Sequence, residues 1–213
     1  MSQQSDASTR ERLLAAARKL FLEQGPDRVS VRAVNAEAGL NPGAAHYHFG
    51  SREGLIAALL EEELRPLWVD RMAERLHVPD GEASVHEMVA ALVEPFAELA
   101  RSRDGRMLCH LLARATLPTG QLPNVSAQFL PAPFEVMVGR ALPELSVQEV
   151  TERCGLAFSL VLETYGRPLA GPPTAASPYP RTATVIAFVT AGLTAPPVPP
   201  PPRRDRGGAG QAT

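Results

Sequence analysis

The stretch from Val31 to Phe49, VRAVNAEAGLNPGAAHYHF, constrains this chain more than any other. Val31, Val34 and Ala38 recur at i, i+3 and i+7, which gathers apolar groups on one face of a helix. Ser30 stands where a side-chain oxygen can accept from the open amides of the first turn. The spacing predicts a helix from about Ser30 to Ala38. Gly39 permits the left-handed backbone that ends it, and Leu40 turns back toward the core. Asn41 followed by Pro42 then restarts a helix, because Asn accepts from free amides and Pro suits a first turn where no N–H is required. Two short helices on a tight turn, the second from Pro42 to about Phe49, make a helix-turn-helix.

The second of these helices has an unusual face for a core element. After Asn41, the residues Pro42, Gly43, Ala44 and Ala45 are small, and His46, Tyr47 and His48 follow as rings with polar tips. A helix entering a major groove about 12 Å wide requires a narrow leading end and side chains that reach phosphates at the margins. Ala45 and Phe49, four apart, are assigned to the inward face against Val34 and Leu40. By spacing alone, a surface helical hairpin in an unrelated α-helical protein stays open as an alternative.

The run VSVRAVNAEAGLNPGAAHYHFGSREGLIAAL, preceded by an amphipathic helix ending at Gly25, resembles the DNA-binding domain of TetR-type transcriptional regulators. The likeness extends from about Thr9 to Leu60 and rests on the AGL turn, the Tyr47-His48-Phe49 ending and the Gly50-Ser51-Arg52-Glu53 restart. It implies an all-α protein with a three-helix DNA-binding domain at residues 1–50, joined through the helix starting at 51. A helical ligand-binding and dimerisation domain at 51–195 then follows. It also implies a homodimer that binds double-stranded operator DNA as a repressor and releases it on binding a small-molecule effector. Tyr47 and His48 then contact phosphate, His46 lies where relatives place an aromatic that does the same, Ser30 and Arg32 hold the other side of the groove, and Arg52 touches the backbone. This chain departs from the pattern in carrying Pro42 for Lys, Ala44 and Ala45 for Thr and a larger aliphatic, and Asn35 for Ala. Base reading through methyl contacts and shape is therefore expected, with Asn35 bonded to nearby backbone or facing solvent.

A formal charge of −2 over 213 residues gives no overall pull toward nucleic acid, so any such footprint must be local. Residues 1–54 hold seven Lys/Arg against six Asp/Glu, an asymmetry of the right sign but small. The two cysteines, Cys109 and Cys154, lack metal-ligand spacing, and no signal peptide or membrane-length apolar run is visible. A cytoplasmic protein with reduced thiols is expected. No cofactor or metal is expected either. His46 and His48 point to different sides of a helix, and Cys109-His110 splays apart instead of pairing a nucleophile with a base. With no Ser/His/Asp order, phosphate loop or paired carboxylates, the chain reads as a non-enzyme.

Around the motif the chain reads as helices throughout. Ser8-Thr9-Arg10-Glu11 has capping-box spacing and predicts a first helix after a mobile start at residues 1–7, with Leu13, Ala17 and Leu20 buried and Gly25-Pro26 as its stop. Ser51 caps a fourth helix that Pro66 kinks or ends, and its Glu61-Glu62-Glu63 triplet reads as a solvated face. Helices follow from Ser84, from 106 to 115, from 134 to 142, from Ser146 to Tyr165 and from 179 to 193, with a long connection at 118–133. The candidate effector-facing positions among them are Met107, His110, Leu111 and Arg114, together with Phe134, Met137, Phe158 and Leu162. His110 and Arg114, one turn apart, could meet a polar ligand or form a surface pair. The helices at 146–165 and 179–193 carry small residues suited to a four-helix dimer interface, and 196–213 is a Pro-rich disordered tail. A protein-interaction module that no longer reads DNA, and a helical-domain enzyme, are the competing functions.

Overall fold

The computed structural model describes residues 2–76, 84–117, 132–167 and 179–199. Among these residues the chain is all helix, with nine α-helices and one 3-10 turn. Of the connection expected at 118–133, residues 118–131 lie outside them and 132–133 open a helix; most of the loop before Tyr179 also lies outside.

Three helices and the start of a fourth build the N-terminal unit. α1 runs Ser2–Gln24, so it begins before the Ser8 capping box, and Ser8 sits inside the helix. Nothing between Ser2 and Ala7 is Gly or Pro, and the helix propagates back through it. Leu13, Leu14, Ala17, Leu20 and Phe21 form its buried stripe. After a 3-10 turn at Pro26–Arg28, α2 spans Val31–Glu37 and α3 spans Ala44–Phe49. α4 follows as Arg52–Leu76 and continues through Pro66 instead of stopping there. Its leading end buries Leu55, Leu59 and Leu60 against α1 and α3.

The C-terminal unit comprises α5 (Val85–Leu99), α6 (Arg103–Thr116), α7 (Ala132–Ala141), α8 (Val147–Tyr165) and α9 (Thr182–Leu193). Local chemistry sets several of these starts. Ser84 and Glu87 form a reciprocal capping box, and Ser102 and Ser146 accept from the amides of Gly105 and Glu149. α5 is the central element, packed most extensively on α9 and also against α4, α6 and α7. One continuous apolar core runs from Leu13 through Leu64 and Val89 to Leu193.

Polar side chains tie the two units together. Arg18 of α1 meets Glu63 of α4 at 3.4 Å and Asp104 of α6 at 2.8 Å. Arg103 donates to the Leu22 carbonyl at 2.9 Å, Arg114 pairs with Asp27 at 3.2 Å, and Arg10 pairs with Glu62 at 3.0 Å. Glu62 and Glu63, expected to be solvated, therefore bind the first helix; the fold brings α1 alongside them, which helical spacing cannot reveal.

The Pro-rich segment is anchored where it leaves α9. Arg153 of α8 donates to the carbonyls of Leu193 at 2.7 Å and Pro196 at 2.8 Å, and also to that of Ala195. Glu149, bonded to Arg153, accepts from the Val198 amide at 3.0 Å. The tail expected from 196 onward is thus held through Val198, because α8 offers both an acceptor and a donor to backbone that α9 leaves unpaired; residues 200–213 lie outside the described ones. The Val198 amide, and then Arg153, hold the Glu149 carboxylate below the ordinary Glu range. A lowered folded value means that this tether is complete above the usual carboxylate pKa and lost as pH falls through the lowered one. In an NMR titration the Val198 amide shift should move below the ordinary Glu midpoint, and Glu149→Gln should abolish that transition.

Candidate nucleic-acid interface

The helix-turn-helix is assembled by short local bonds. The Ala33 amide donates to Ser30 Oγ at 3.2 Å, which starts α2, and Gly39 at φ 63° lets the chain turn after it. The Ala38 carbonyl, open at that end, accepts from Arg12 Nη2 of α1 at 2.5 Å. Asn41 Oδ1 accepts from the Gly43 amide at 3.0 Å, an Asx turn over the Pro42 position. α3 therefore starts two residues after the expected Pro42, which forms part of the turn.

The face that α3 presents outward is made of rings. Tyr47 is 78% exposed, and its ring meets that of His48 edge-on with centroids 5.2 Å apart. His46 is exposed beside it, and Ser30, Arg32, Asn41, Pro42 and Gly43 are exposed along the same segment, while His48 is half-buried. These side chains combine hydrogen-bond donors, a cation and slim backbone, and they can meet phosphate oxygens without desolvating a core.

Two expected DNA-facing residues stand elsewhere. Ala44 is buried at 8% exposure beside Ala45 at 1%, so neither methyl is presented to a base. The first turn of α3 is held against α2 by the Ala45 amide bond to Asn35, and Ala44 goes inward with it. Arg52 reaches back across the domain, donating from Nη2 to the Pro26 carbonyl at 2.7 Å and from Nε to that of Val29 at 3.4 Å. Its guanidinium thus holds the loop before α2, and a phosphate would have to share it.

Asn35, the departure left between backbone and solvent, is buried and takes the backbone option. It donates from Nδ2 to the Pro42 carbonyl at 2.7 Å and accepts the Ala45 amide on Oδ1 at 2.9 Å. Gly54 is a second residue whose part spacing does not disclose. A Cβ there would lie 2.1 Å from the Phe49 carbonyl oxygen, so the absence of a side chain lets α4 pass against the end of α3. On the far side of Phe49, the Arg10 guanidinium lies 5.8 Å from the ring centroid.

The candidate effector-facing residues separate into two groups. Met107, Leu111, Phe134, Met137 and Leu162 are buried together in the C-terminal core, and Phe134 meets the half-buried Phe158 edge-on at 5.7 Å. His110 is buried too, with Nδ1 on the Gly166 carbonyl at 2.8 Å at the end of α8. Arg114 does not join it: the fold puts Arg114 outside, on Asp27. The pair is split because α6 presents one flank to α8 and the other to the N-terminal unit. Cys109 and Cys154 are free and buried, and burial pushes both thiols up to about 12, so they stay protonated at neutral pH and are not poised as nucleophiles. Among the described residues no cluster of His, Cys, Asp or Glu could hold a metal, and no helix is long and apolar enough to cross a membrane.

Residues 13–59 match the family model of bacterial regulatory proteins, tetR family. The HTH-type transcriptional regulator UidR of Escherichia coli is 34% identical over 86 residues, covering 40% of this chain and 41% of that protein. The HTH-type transcriptional repressor Rv3405c of Mycobacterium tuberculosis is 33% identical over 121 residues, covering 54% and 53%. The chain thus matches between two fifths and about half of the length of these relatives. Over the whole fold it is similar to NalD, described as the secondary repressor of a multidrug efflux pump in Pseudomonas aeruginosa, with a TM-score of 0.54 at 18% identity over 88% of this chain and 96% of that one. The matched region contains the close approach at Gly54. Gly54→Ala should cost about 1–3 kcal/mol, since the methyl meets backbone and one helix must shift. Urea unfolding followed by circular dichroism measures it.

Proposed function

We propose that this chain, a TetR-type regulator by its N-terminal domain and all-helical fold, represses transcription as a homodimer that grips operator DNA through α3 and lets go when an effector enters the C-terminal unit. The observation that carries the DNA reading is the exposed row of His46 and Tyr47 on a six-residue helix whose other side is buried. His46, Tyr47 and His48 contact phosphate, with Ser30 and Arg32 across the groove and Pro42 and Gly43 nearest the bases. With Ala44 and Ala45 turned inward, base reading falls on the slim turn at Asn41 to Gly43 and on DNA shape. Arg52 acts first as the support of the loop before α2.

The dimer reading rests on α8 and α9. Leu156 is 73% and Phe188 68% exposed, and Gly155, Ala187, Ala191 and Gly192 are exposed on the same two helices. Large apolar groups among small ones form a surface that a second copy can cover in a four-helix arrangement. Two half-sites held at a fixed spacing then supply specificity that one small domain lacks.

Release follows from how α6 is held. α6 carries Met107 and Leu111 in the core, while its Arg103, Asp104 and Arg114 hold the N-terminal unit. An effector that displaces α6 among Phe134, Met137, Phe158 and Leu162 pulls on α1 and α4 together. A coupling of about 1–3 kcal/mol between the two sites corresponds to a 5–150-fold change in DNA affinity.

Mobility-shift titration against the DNA flanking the coding region tests the proposal: binding that weakens steeply with salt is expected, and a folded protein that binds no duplex at low salt overturns it. Tyr47→Ala should weaken binding to all duplexes alike, with stability within about 0.5 kcal/mol of the parent because the ring is exposed. A change of preferred operator with general affinity intact would show that Tyr47 reads bases. Leu156→Glu with Phe188→Glu should convert a sedimenting dimer to folded monomer, with operator affinity falling in step.

A further inference from the structure

α3 has no cap of its own. Its leading residues are Gly43, Ala44 and Ala45, none of which carries a side-chain acceptor, and Gly43 caps no amide. The open amides are satisfied from elsewhere. Gly43 and Ala44 donate to the Oδ1 and carbonyl of Asn41, two local bonds. The Ala45 amide donates to Asn35 Oδ1, which belongs to α2. The other half of the same carboxamide returns to the turn, with Nδ2 on the Pro42 carbonyl. A side chain only 1% exposed therefore holds both the last peptide before α3 and the first turn of α3 itself.

We infer that Asn35 is the positioning residue for DNA reading, acting as a cap supplied across the motif that sets the angle of α3. The inference rests on the DNA-binding role proposed above. Two bonds from one planar amide fix orientation as well as distance, and removing them leaves a buried donor and a buried acceptor unpaired. His46 and Tyr47 ride on the same six residues, so a small rotation at Ala45 is passed directly to the outward face. What α3 requires from Asn35 is a donor and an acceptor together. Asn35→Ala lacks both. Asn35→Asp keeps the acceptor but, when ionised, sets a carboxylate against the Pro42 carbonyl, and protonation restores the donor. Burial disfavours the charged form, and the Ala45 amide donating to the same oxygen favours it.

The test uses the full chain and a duplex that the wild-type protein itself selects from a randomised pool, beside a scrambled duplex of equal composition. Fluorescence anisotropy gives affinities from pH 5.5 to 8. With His46, His48, Arg12 and the Lys19–Glu37 pair on or beside the same motif, each value is read as a ratio to wild type at the same pH. Asn35→Ala is expected to bind the selected duplex at least tenfold more weakly, with scrambled-duplex affinity changed less than twofold. Asn35→Asp, ionised at pH 8, is expected to show the same loss there. Retained selectivity in Asn35→Ala overturns the inference, as does an equal loss on both duplexes. Should Asn35→Ala unfold, the selectivity of Asn35→Asp at pH 8 decides, and wild-type selectivity there overturns the inference. A wild type that selects no duplex overturns the regulatory reading itself, a result distinct from a wild type that selects one and an Asn35→Ala protein that matches it.

Discussion

A helix of six residues does not hold its shape in water, since nucleation costs more than so few hydrogen bonds return. α3 exists because its surroundings impose it. Ala45 is sealed beneath it, Asn35 and Asn41 satisfy its first amides, and Gly54 lets α4 close against its end. Every outward feature of the α3 face, the Tyr47 ring above all, inherits its position from those inward ones. A short helix placed by its neighbours gains rigidity that its own length denies it, and it also reports any movement of those neighbours.

That dependence explains why the two units are joined as they are. α1 supports α3 from below and is itself held by Arg18 to both α4 and α6, with Arg103 and Arg114 adding two further ties from α6. Several of these pairs are partly exposed and contribute little to stability individually. Together they join the N-terminal unit to α6 at several points, beyond the covalent link through α4. The apolar core continues across the same boundary, so a rearrangement among Phe134, Phe158 and Met107 has no slack region in which to dissipate.

Much of the architecture was legible in residue order. Ser30, Ser84 and Ser146 all cap the helices they precede, and the helix-turn-helix stands where the AGL turn puts it. The misreadings share a cause. Ser8 has the spacing of a cap yet lies within α1, Glu62 and Glu63 look like a wet face yet bind α1, and Arg114 looks like a partner of His110 yet faces Asp27. Each depends on which element lies alongside, and local spacing carries no record of that. Ala44 goes inward with the first turn of α3, which Asn35 of α2 holds through the Ala45 amide.

Helical periodicity, capping residues and turn glycines act over a few positions, and they determined the all-α class, the helix-turn-helix and most helix boundaries from the amino-acid order alone. Tertiary structure decided the rest: that Asn35 would serve a helix ten residues on, that Arg52 would hold the Pro26 loop, and that α8 and α9 would leave Leu156 and Phe188 uncovered. The physical reason is reach. A side chain's local bonds are set by its chain neighbours, whereas its long-range partners exist only once packing has brought distant backbone within about 3 Å.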